Sequence, residues 1–355
     1  MVQAIDFAFA VVGGFIVFIA TTFNLLMKGK ITGISGILFT LFKFQADEFF
    51  WKATFLCAFS ASVSVLYLIF GFGTVFNSSF VIFDQPTVMT YKLNYIGFLI
   101  AGFLGGVGTK MANGCTSGHG ICGLPRFSIR SWCSMSIVLV CGLLMFTFKH
   151  YVPFLEETQD DVTKSLNYNT FAYIVLSISL LLLAILFITS IIKHKMSEVL
   201  VGFVTSVLFS VGFGFGGMFR RTKVYGFLSI VSDWDPSLMF FLGTAVLFNM
   251  IGFYFVINKQ KKPLLAEQLS IPQNKVIDLR LIVGSIIFGL SWGFSGLCPG
   301  TGLGLINIFS LHITICWFIT FILGQKAVGL YDSFQYHQKQ QLKVLPVSTN
   351  TISSD

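Results

Sequence analysis

The sequence GCTSGHGICG, residues Gly114–Gly123, follows a long apolar run and interrupts it with four glycines, two cysteines and a histidine. A second stretch, GLCPGTG at Gly296–Gly302, also follows a long apolar run and also places a cysteine before small residues. In a membrane, backbone N–H and C=O groups must be hydrogen-bonded, so irregular turns survive only where protein or a cavity surrounds them. These two breaks therefore predict a fold in which long helices enclose short, interrupted ones.

The composition of the whole chain indicates an integral membrane protein. Of its 355 residues 55% are hydrophobic, only 11% are charged, and 42 are phenylalanine. A water-soluble domain has about 25% charged residues. A soluble enzyme, a nucleic-acid-binding protein and a disordered scaffold are therefore disfavoured, and the net charge of +8 is attributed to basic loops on one side of a membrane.

Hydropathy predicts nine membrane-spanning helices, since about 20 apolar residues cross the hydrocarbon core. The predicted spans are Phe7–Met27, Ala53–Phe70, Leu93–Thr109, Ser131–Phe148, Ser165–Ile192, Val199–Phe219 and Pro236–Asn258, with two more between Leu281 and Gln325. Four spans are followed by a Gly-rich stretch and a short apolar piece, each of which predicts a half-helix. These pieces are Gly29–Leu41, Gly114–Phe127, Thr222–Val231 and Gly300–Phe309.

The order of these pieces predicts an all-α integral membrane protein built as an inverted repeat. Residues 1–152 form the first repeat, 153–196 an acidic outer loop and a lone connecting helix, and 197–334 the second repeat, which the lone helix inverts. Loop Lys259–Arg280 has five basic residues against two acidic ones, so it is predicted to be cytoplasmic. The N-terminus is then outside the cell membrane and the C-terminus inside, with residues 335–355 as a short, disordered polar tail.

Cys115 and Cys298 are the leading candidates for a binding site, because they occupy equivalent places at two broken helices. A half-helix N-terminus has unpaired N–H groups and partial positive charge, which favour an anion. A thiol there is a weak hydrogen-bond donor or, when ionised, a nucleophile. Three interpretations are open at this point: packing by small side chains, a metal site, and contact with a polarisable, sulfur-containing or anionic solute. No metal or cofactor is predicted, because the second half offers only His312 near Cys298.

Further candidates surround the two cysteines. His119 is the protonatable group of the first break, and Cys122 lies seven residues after Cys115. The chain has no CxxC motif, so a thioredoxin-like redox centre has weak support. Basic residues near the breaks would attract anions into the two entrances or anchor helices at the interface. These secondary candidates are Lys30, Arg220 and Arg221, whereas Arg126 and Arg130 are predicted to mark the inner membrane face.

Three motifs in combination resemble the YeeE/YedE sulfur-transport family. They are GCTSGHGICGLPRFSIRSW at Gly114–Trp132, GLSWGFSGLCPGTGLGL at Gly289–Leu305, and the region Gly216–Ala245. The resemblance covers essentially the whole chain. It implies an inverted repeat whose half-helices meet at mid-membrane, and a carrier of sulfur compounds for which thiosulfate uptake is the characterised activity.

The resemblance also implies roles for single residues. Cys115 and Cys298 match the family's central cysteines, whose thiols are thought to hydrogen-bond the passing anion. Thr32 stands where the family has a third cysteine, and a hydroxyl donates a hydrogen bond but forms no persulfide. The sequence Phe219-Arg220-Arg221 departs from the family pattern and would make one entrance more cationic.

Residues and resemblance together predict inward transport of thiosulfate or a related sulfur anion by a protein that is not an enzyme. The path through the lipid bilayer would be completed by Thr32, Thr116, Ser117, His119, Gly118, Gly120, Gly300 and Gly302. Two alternatives are a membrane sulfur-transfer or thiol-redox protein that carries a cysteine persulfide, and a channel for another small anion. A soluble cytoplasmic sulfurtransferase is a candidate partner, and nucleic acid is not.

Overall fold

The computed structural model describes residues 3–41, 46–76, 78–85, 93–152, 168–230, 234–306 and 313–344. Across these residues the regular structure is helical, with two isolated β-bridges. In chain order the helices are α1 (Ala4–Lys28), α2 (Ile34–Leu41), α3 (Ala46–Phe70), α4 (Tyr95–Ala112), α5 (Thr116–Ile121), α6 (Ile129–Tyr151), α7 (Tyr168–Ile192), α8 (Met196–Phe215), α9 (Arg221–Leu228), α10 (Ser237–Tyr254), α11 (Leu279–Ser295), α12 (Pro299–Leu305) and α13 (Ile313–Val344). Of these, α5 is a short π-helix.

The lengths of the helices confirm an all-α, multi-pass membrane protein. Eight of the described helical segments are long and apolar enough to cross a membrane. The ninth predicted span falls in α13, a 32-residue helix that packs along α4. Short helices α2, α5, α9 and α12 lie at the four predicted breaks.

The helix contacts repeat between the two halves of the chain. Taken in chain order, the long helices α1, α3, α4 and α6 of the first half correspond to α8, α10, α11 and α13 of the second. The contact of α1 with α10 is matched by that of α8 with α3, and the contact of α4 with α13 by that of α11 with α6. The pairs α1 with α8 and α4 with α11 join equivalent helices. Exchanging the halves therefore leaves these packing partners unchanged, while α7 packs on α3 and α8 without an equivalent. The domain limits at residues 152, 196 and 334 stay predictions.

Glycines bring the paired helices into backbone contact. A Cβ built on Gly13 in α1 would lie 2.3 Å from the backbone N of Gly216, just after α8. A Cβ on Gly108 in α4 would lie 2.4 Å from the backbone N of Phe288 in α11. Side-chain carbons do not approach other atoms so closely. These crossings therefore require residues without a side chain, as in small-residue packing of membrane helices.

The two ends of the bundle are built differently. At one end, which we call the loop face, the segment between α10 and α11 lies across the end of α1. There the Ser270 N–H donates to the Gly29 C=O at 2.8 Å, and Lys28 pairs with Glu198 at 3.1 Å. The opposite face holds the start of α1 and the short helix α9. Which face is cytoplasmic stays a prediction.

The C-terminal segment differs from the sequence-based expectation. A disordered tail was expected from Gln335, but α13 continues to Val344. Side-chain bonds one helical turn apart support this extension, since Gln335 Nε2 donates to the Tyr331 hydroxyl at 3.2 Å and Gln340 Nε2 to the Tyr336 hydroxyl at 2.7 Å. Residues 345–355 and the predicted acidic loop at 153–167 lie outside the described residues.

Gly13→Ala is expected to lower the melting temperature of the protein in detergent. The added methyl group would overlap the backbone at Gly212 and Gly216, and overpacking costs about 1–3 kcal/mol. The matched control is Gly243→Ala in α10, where nothing lies within 4 Å of an added Cβ. This variant should match or slightly exceed the parent. Equal losses in both variants, measured by thermal unfolding, would contradict the close α1–α8 crossing.

Candidate functional site

Cys115 and Cys298 begin two short helices in the same way. Each is the residue before the helix, α5 and α12 respectively, and each has extended backbone angles there. Both residues are 2% exposed. Pro299 occupies the first turn of α12, where its missing N–H leaves no helical bond unmade. The two halves of the chain thus present a buried thiol at equivalent positions.

Each thiol lies next to a hydroxyl group. Cys298 Sγ is 3.2 Å from Thr301 Oγ1, and the Thr301 N–H donates to the same sulfur at 3.4 Å. The Thr301 hydroxyl donates its only proton to the Met218 C=O at 2.9 Å. The S–H of Cys298 must therefore be the donor toward Thr301.

The thiol of Cys115 joins two short helices. Its Sγ lies 3.2 Å from Ser117 Oγ. That oxygen accepts the N–H of Ile34, the first residue of α2, at 3.1 Å. Ser117 Oγ consequently connects the start of α2 to the start of α5.

The starts of three short helices meet at the centre of the protein. Cys298, which precedes α12, contacts the hydroxyl of Thr116, the first residue of α5. Cβ atoms built on Gly33 and Gly300 would lie 3.5 Å from Gly118 Cα and 2.8 Å from Ile34 Cδ1. We call this region the central site, defined by Ile34, Cys115, Thr116, Ser117, Cys298 and Thr301.

A cavity of about 390 Å³ at the loop face reaches the edge of the central site. Its wall includes Gly33 and Gly118, which lie at the edge of the central site. Four of the charged residues that line it are basic and one is acidic, and such a surplus attracts anions. These residues are Lys30, Lys52, Arg126, Arg130 and Glu48.

Ion pairs and carbonyl contacts hold these basic groups in place. Lys30 and Lys52 both pair with Glu48. Arg126 Nε donates to the Cys122 C=O at 2.9 Å, and Arg130 lies 3.5 Å from Asp278. Arg126 and Arg130 were predicted to mark a membrane face, and they also line the cavity.

His119 is held by hydrogen bonds at both ring nitrogens. Its Nε2 lies 3.1 Å from the Ala112 C=O, and its Nδ1 lies 3.1 Å from Ser131 Oγ. Because a carbonyl accepts only, Nε2 carries the proton and Nδ1 accepts from Ser131. The ring lines the cavity and anchors α5 to the end of α4 and the start of α6.

Thr32 and Cys122 are neighbours just before the start of α2. Thr32 is fully buried, and its Oγ1 accepts from Asn24 Nδ2 at 3.0 Å. Cys122 Sγ donates to the Thr32 C=O at 3.4 Å. Both residues thus support the chain that leads into α2.

The four candidate glycines have different surroundings. Gly118 lines the cavity, whereas an added Cβ on Gly120 would touch Met135 at 3.4 Å. On Gly302 it would lie 2.3 Å from the Trp317 ring, and on Gly300 it would lie 2.7 Å from the Phe213 ring. Gly300 and Gly302 therefore allow α12 to pack closely against its neighbours.

At the opposite face, the basic residues near α9 are engaged by protein groups. Arg220 Nε lies 3.2 Å from Asp84 Oδ1, and the other oxygen of Asp84 accepts the Thr222 N–H at 2.8 Å. Arg221 is 2% exposed and packs on the rings of Phe98 and Tyr225. This arrangement differs from the expected cationic entrance, because a carboxylate balances Arg220.

Lys223 links two carboxylates at this face. Its Nζ lies 2.9 Å from Asp6 and 2.8 Å from Asp235. Burial raises the pKa of Asp235, but the hydrogen bonds from Lys223 and Ser237 outweigh it and hold that pKa below its ordinary value. Asp235 is therefore charged at neutral pH.

Thr301, Lys52 and Glu48 were not among the residues predicted for the site. The available signal for Thr301 was the spacing Cys-x-x-Thr, which parallels Cys-x-Ser at the first break. Lys52 and Glu48 gave no local signal, because only tertiary packing brings α3 to the cavity. Within the described residues, no group of three or more His, Cys, Asp or Glu is placed to hold a metal ion.

Comparisons with known proteins identify relatives for part of the chain. Residues 197–338 match a family of unknown function, DUF6691. A "probable transporter" of Xylella fastidiosa strain 9a5c is 38% identical over 124 residues, which are 33% of this chain and 84% of the relative. A second "probable transporter" of that strain is 35% identical over 143 residues, 40% of this chain and 95% of the relative. The chain belongs to the family of these probable transporters.

Gly36→Cys tests the cavity and the orientation of the protein. Gly36 lines the cavity and has nothing within 4 Å of an added Cβ, so a cysteine fits there. In a background with the half-buried cysteines changed to Ala, a charged, membrane-impermeant thiol reagent should label Gly36→Cys in inside-out vesicles but not in intact cells. Labelling only in intact cells would show that the loop face is outside the cell, opposite to the prediction. No labelling from either side would contradict an open cavity.

Proposed function

We propose that the protein transports thiosulfate or a related small sulfur-containing anion into the cell. The observation that carries the proposal is a pair of buried thiols, each beside a hydroxyl, close to a cavity with excess basic residues whose wall includes Gly33 and Gly118. The naming of the relatives as probable transporters supports membrane transport. The sequence resemblance to a sulfur-transport family supports the choice of substrate.

The chemistry of the central site suits an anion with both oxygen and sulfur at its surface. An anion that leaves water needs hydrogen-bond donors in place of its hydration shell. The hydroxyls of Thr116 and Ser117 and the S–H group of Cys115 supply such donors within a small volume, and the S–H group of Cys298 does so when it turns from Thr301 to the anion. Thiols are soft and polarisable, so they suit a terminal sulfur better than an amine or a guanidinium would.

Burial of the two cysteines favours transport over sulfur transfer to a protein partner. A persulfide that is handed to a soluble sulfurtransferase must be reached by the partner's own nucleophile. Cys115 and Cys298 are each 2% exposed and lie beneath short helices. A small anion reaches such a position, whereas a protein does not.

Uptake of radiolabelled thiosulfate into sealed proteoliposomes tests this proposal. Cys115→Ala and Cys298→Ala should each lower uptake about tenfold or more, because a hydrogen bond to a charged group contributes about 1.5–3 kcal/mol. Cys57→Ala, a half-buried cysteine on α3, is the matched control and should transport like the parent. Equal reconstitution and melting temperature of all variants exclude misfolding. Saturable uptake that survives both substitutions would contradict the proposed role of the thiols.

Arg130→Gln tests the role of the cavity charge. This substitution should raise the KM for thiosulfate about two- to fivefold, since a partly exposed charge contributes about 0.2–1 kcal/mol. The increase should shrink as ionic strength rises. Arg280→Gln removes an exposed arginine that pairs with Asp332 and does not line the cavity, so it serves as the control. An equal effect of both substitutions would show that only the general surface charge matters.

A further inference from the structure

Five buried polar atoms without a hydrogen-bond partner among the described residues lie along one seam between α1, α3 and α8. They are Asn24 Oδ1, Trp51 Nε1, Thr54 Oγ1, Glu198 Oε2 and Thr205 Oγ1. None of their residues is more than 7% exposed. Buried polar atoms that protein groups leave unpaired are normally satisfied by ordered water, because dry burial is unfavourable.

The register of α1 on α8 brings Asn24 close to Thr205. The two helices run antiparallel, because Lys28 pairs with Glu198 at the loop face while Gly13 lies against Gly216 at the other end. Counting along both helices from these two contacts places Asn24 against the turn of α8 that holds Thr205.

The register of α3 on α8 brings Thr54 to the same level. A Cβ on Gly202 would lie 2.7 Å from the Trp51 carbonyl oxygen, and Ser206 Oγ donates to the Phe55 C=O at 2.5 Å. In both contacts the α8 residue differs from its α3 partner by the same residue number, and the two helices are parallel. Thr54 is therefore opposite Thr205. The unpaired oxygens of Asn24, Thr54 and Thr205 thus lie at one level, about two helical turns from Glu198.

This level is connected to the central site. Asn24 Nδ2 donates to Thr32 Oγ1 at 3.0 Å and to the Lys30 C=O at 2.9 Å. Those two residues lead into Ile34, whose N–H is bound by Ser117. The seam therefore extends from Glu198 at the loop face to the chain that positions the central site.

We infer that the α1–α3–α8 seam holds a file of buried water that conducts protons between the central site and Glu198. The inference rests on the proposed function, since it couples anion entry to proton movement. Water satisfies every group here, because a carboxylate only accepts, an indole N–H only donates and a hydroxyl does both. A metal cation suits the seam less well, because the Lys28 ammonium and the Trp51 N–H are present.

Two basic groups lie beside Glu198 at this end. Lys28 lies 3.1 Å from Glu198 Oε1 and Lys195 lies 3.9 Å from it, whereas on α3 Glu48 pairs with Lys30 and Lys52. A proton that enters with the anion passes to the water of the seam and then to the Glu198 carboxylate. The carboxyl group releases it to bulk water at the loop face. Each proton moved with a dianion reduces the net charge that crosses the membrane.

The first test detects the water directly and needs no substrate. X-ray radiolytic hydroxyl labelling marks side chains that lie beside bound water, even in buried positions. Trp51 is 3% exposed and also lines the cavity, so it should be labelled in the parent, and the part of that labelling that depends on Thr54 and Thr205 reports the water of the seam. The double variant Thr54→Val/Thr205→Val should lower Trp51 labelling, because it removes two of the hydroxyl partners that would hold the water and leaves an apolar space of the same size. The control Thr189→Val removes a hydroxyl that bonds its own helix in α7, and it should change nothing. An unlabelled Trp51 in the parent would overturn the inference.

The second test measures coupling in proteoliposomes. A pH gradient with the outside more acidic than the lumen should stimulate thiosulfate uptake by the parent several-fold. A pH-sensitive dye in the lumen should report proton entry. The double variant should lose the stimulation but retain thiosulfate exchange between two equal pools, which requires no net proton movement. If the parent itself showed no thiosulfate exchange, that result would contradict the proposed function rather than the inference about protons. Stimulation that persists in the double variant, or that follows a sodium gradient, would overturn the inference about protons.

Discussion

The need to hydrogen-bond every backbone group away from water determines how this protein is built. Four short helices begin at breaks in the chain, and their first N–H groups have no helical partner. The protein supplies partners one by one: Ser117 Oγ for Ile34, Asp84 for Thr222 and the Cys298 sulfur for Thr301. Long helices must enclose these contacts, and glycines such as Gly13 and Gly108 allow the enclosing helices to meet closely.

The same requirement creates the chemistry of the central site. The residue before a short helix places its polar atom in a buried position, and here that residue is twice a cysteine, although only the Cys298 sulfur accepts a helix N–H. The hydroxyl neighbours fix the direction of at least one thiol proton, since Thr301 already donates to Met218. The two faces then differ in electrostatics. The loop face has a basic cavity, whereas carboxylates engage Arg220 and Lys223 at the opposite face.

Much of the fold was predictable from the sequence because it follows from hydropathy and glycine placement. The composition indicated an all-α membrane protein, and the glycine-rich breaks marked all four short helices. Two aspects of the structure were not predictable. Tertiary packing alone brings Lys52 of α3 to the cavity and places Asp84 on α9. The extension of α13 to Val344 contains polar side-chain hydrogen bonds, which hydropathy does not take into account.

The site was partly predictable for the same reason. Equivalent positions of Cys115 and Cys298 followed from comparing the two breaks, whereas the environments of single groups did not. The sequence marked His119 as the protonatable group of the first break, but it did not show that both of its ring nitrogens are bound. Gly302 looked like part of a path, yet it allows packing against Trp317. Residue type and spacing show where a site lies but not which face each group presents.

The central claim is that a sulfur anion contacts the two buried thiols. Crystals grown in a lipid mesophase and soaked with selenosulfate, the selenium analogue of thiosulfate, would locate the ligand by its anomalous signal. We expect a selenium peak within hydrogen-bonding distance of the sulfur of Cys115 or Cys298. A selenium peak found only at a position remote from both thiols, in crystals of transport-competent protein, would contradict it.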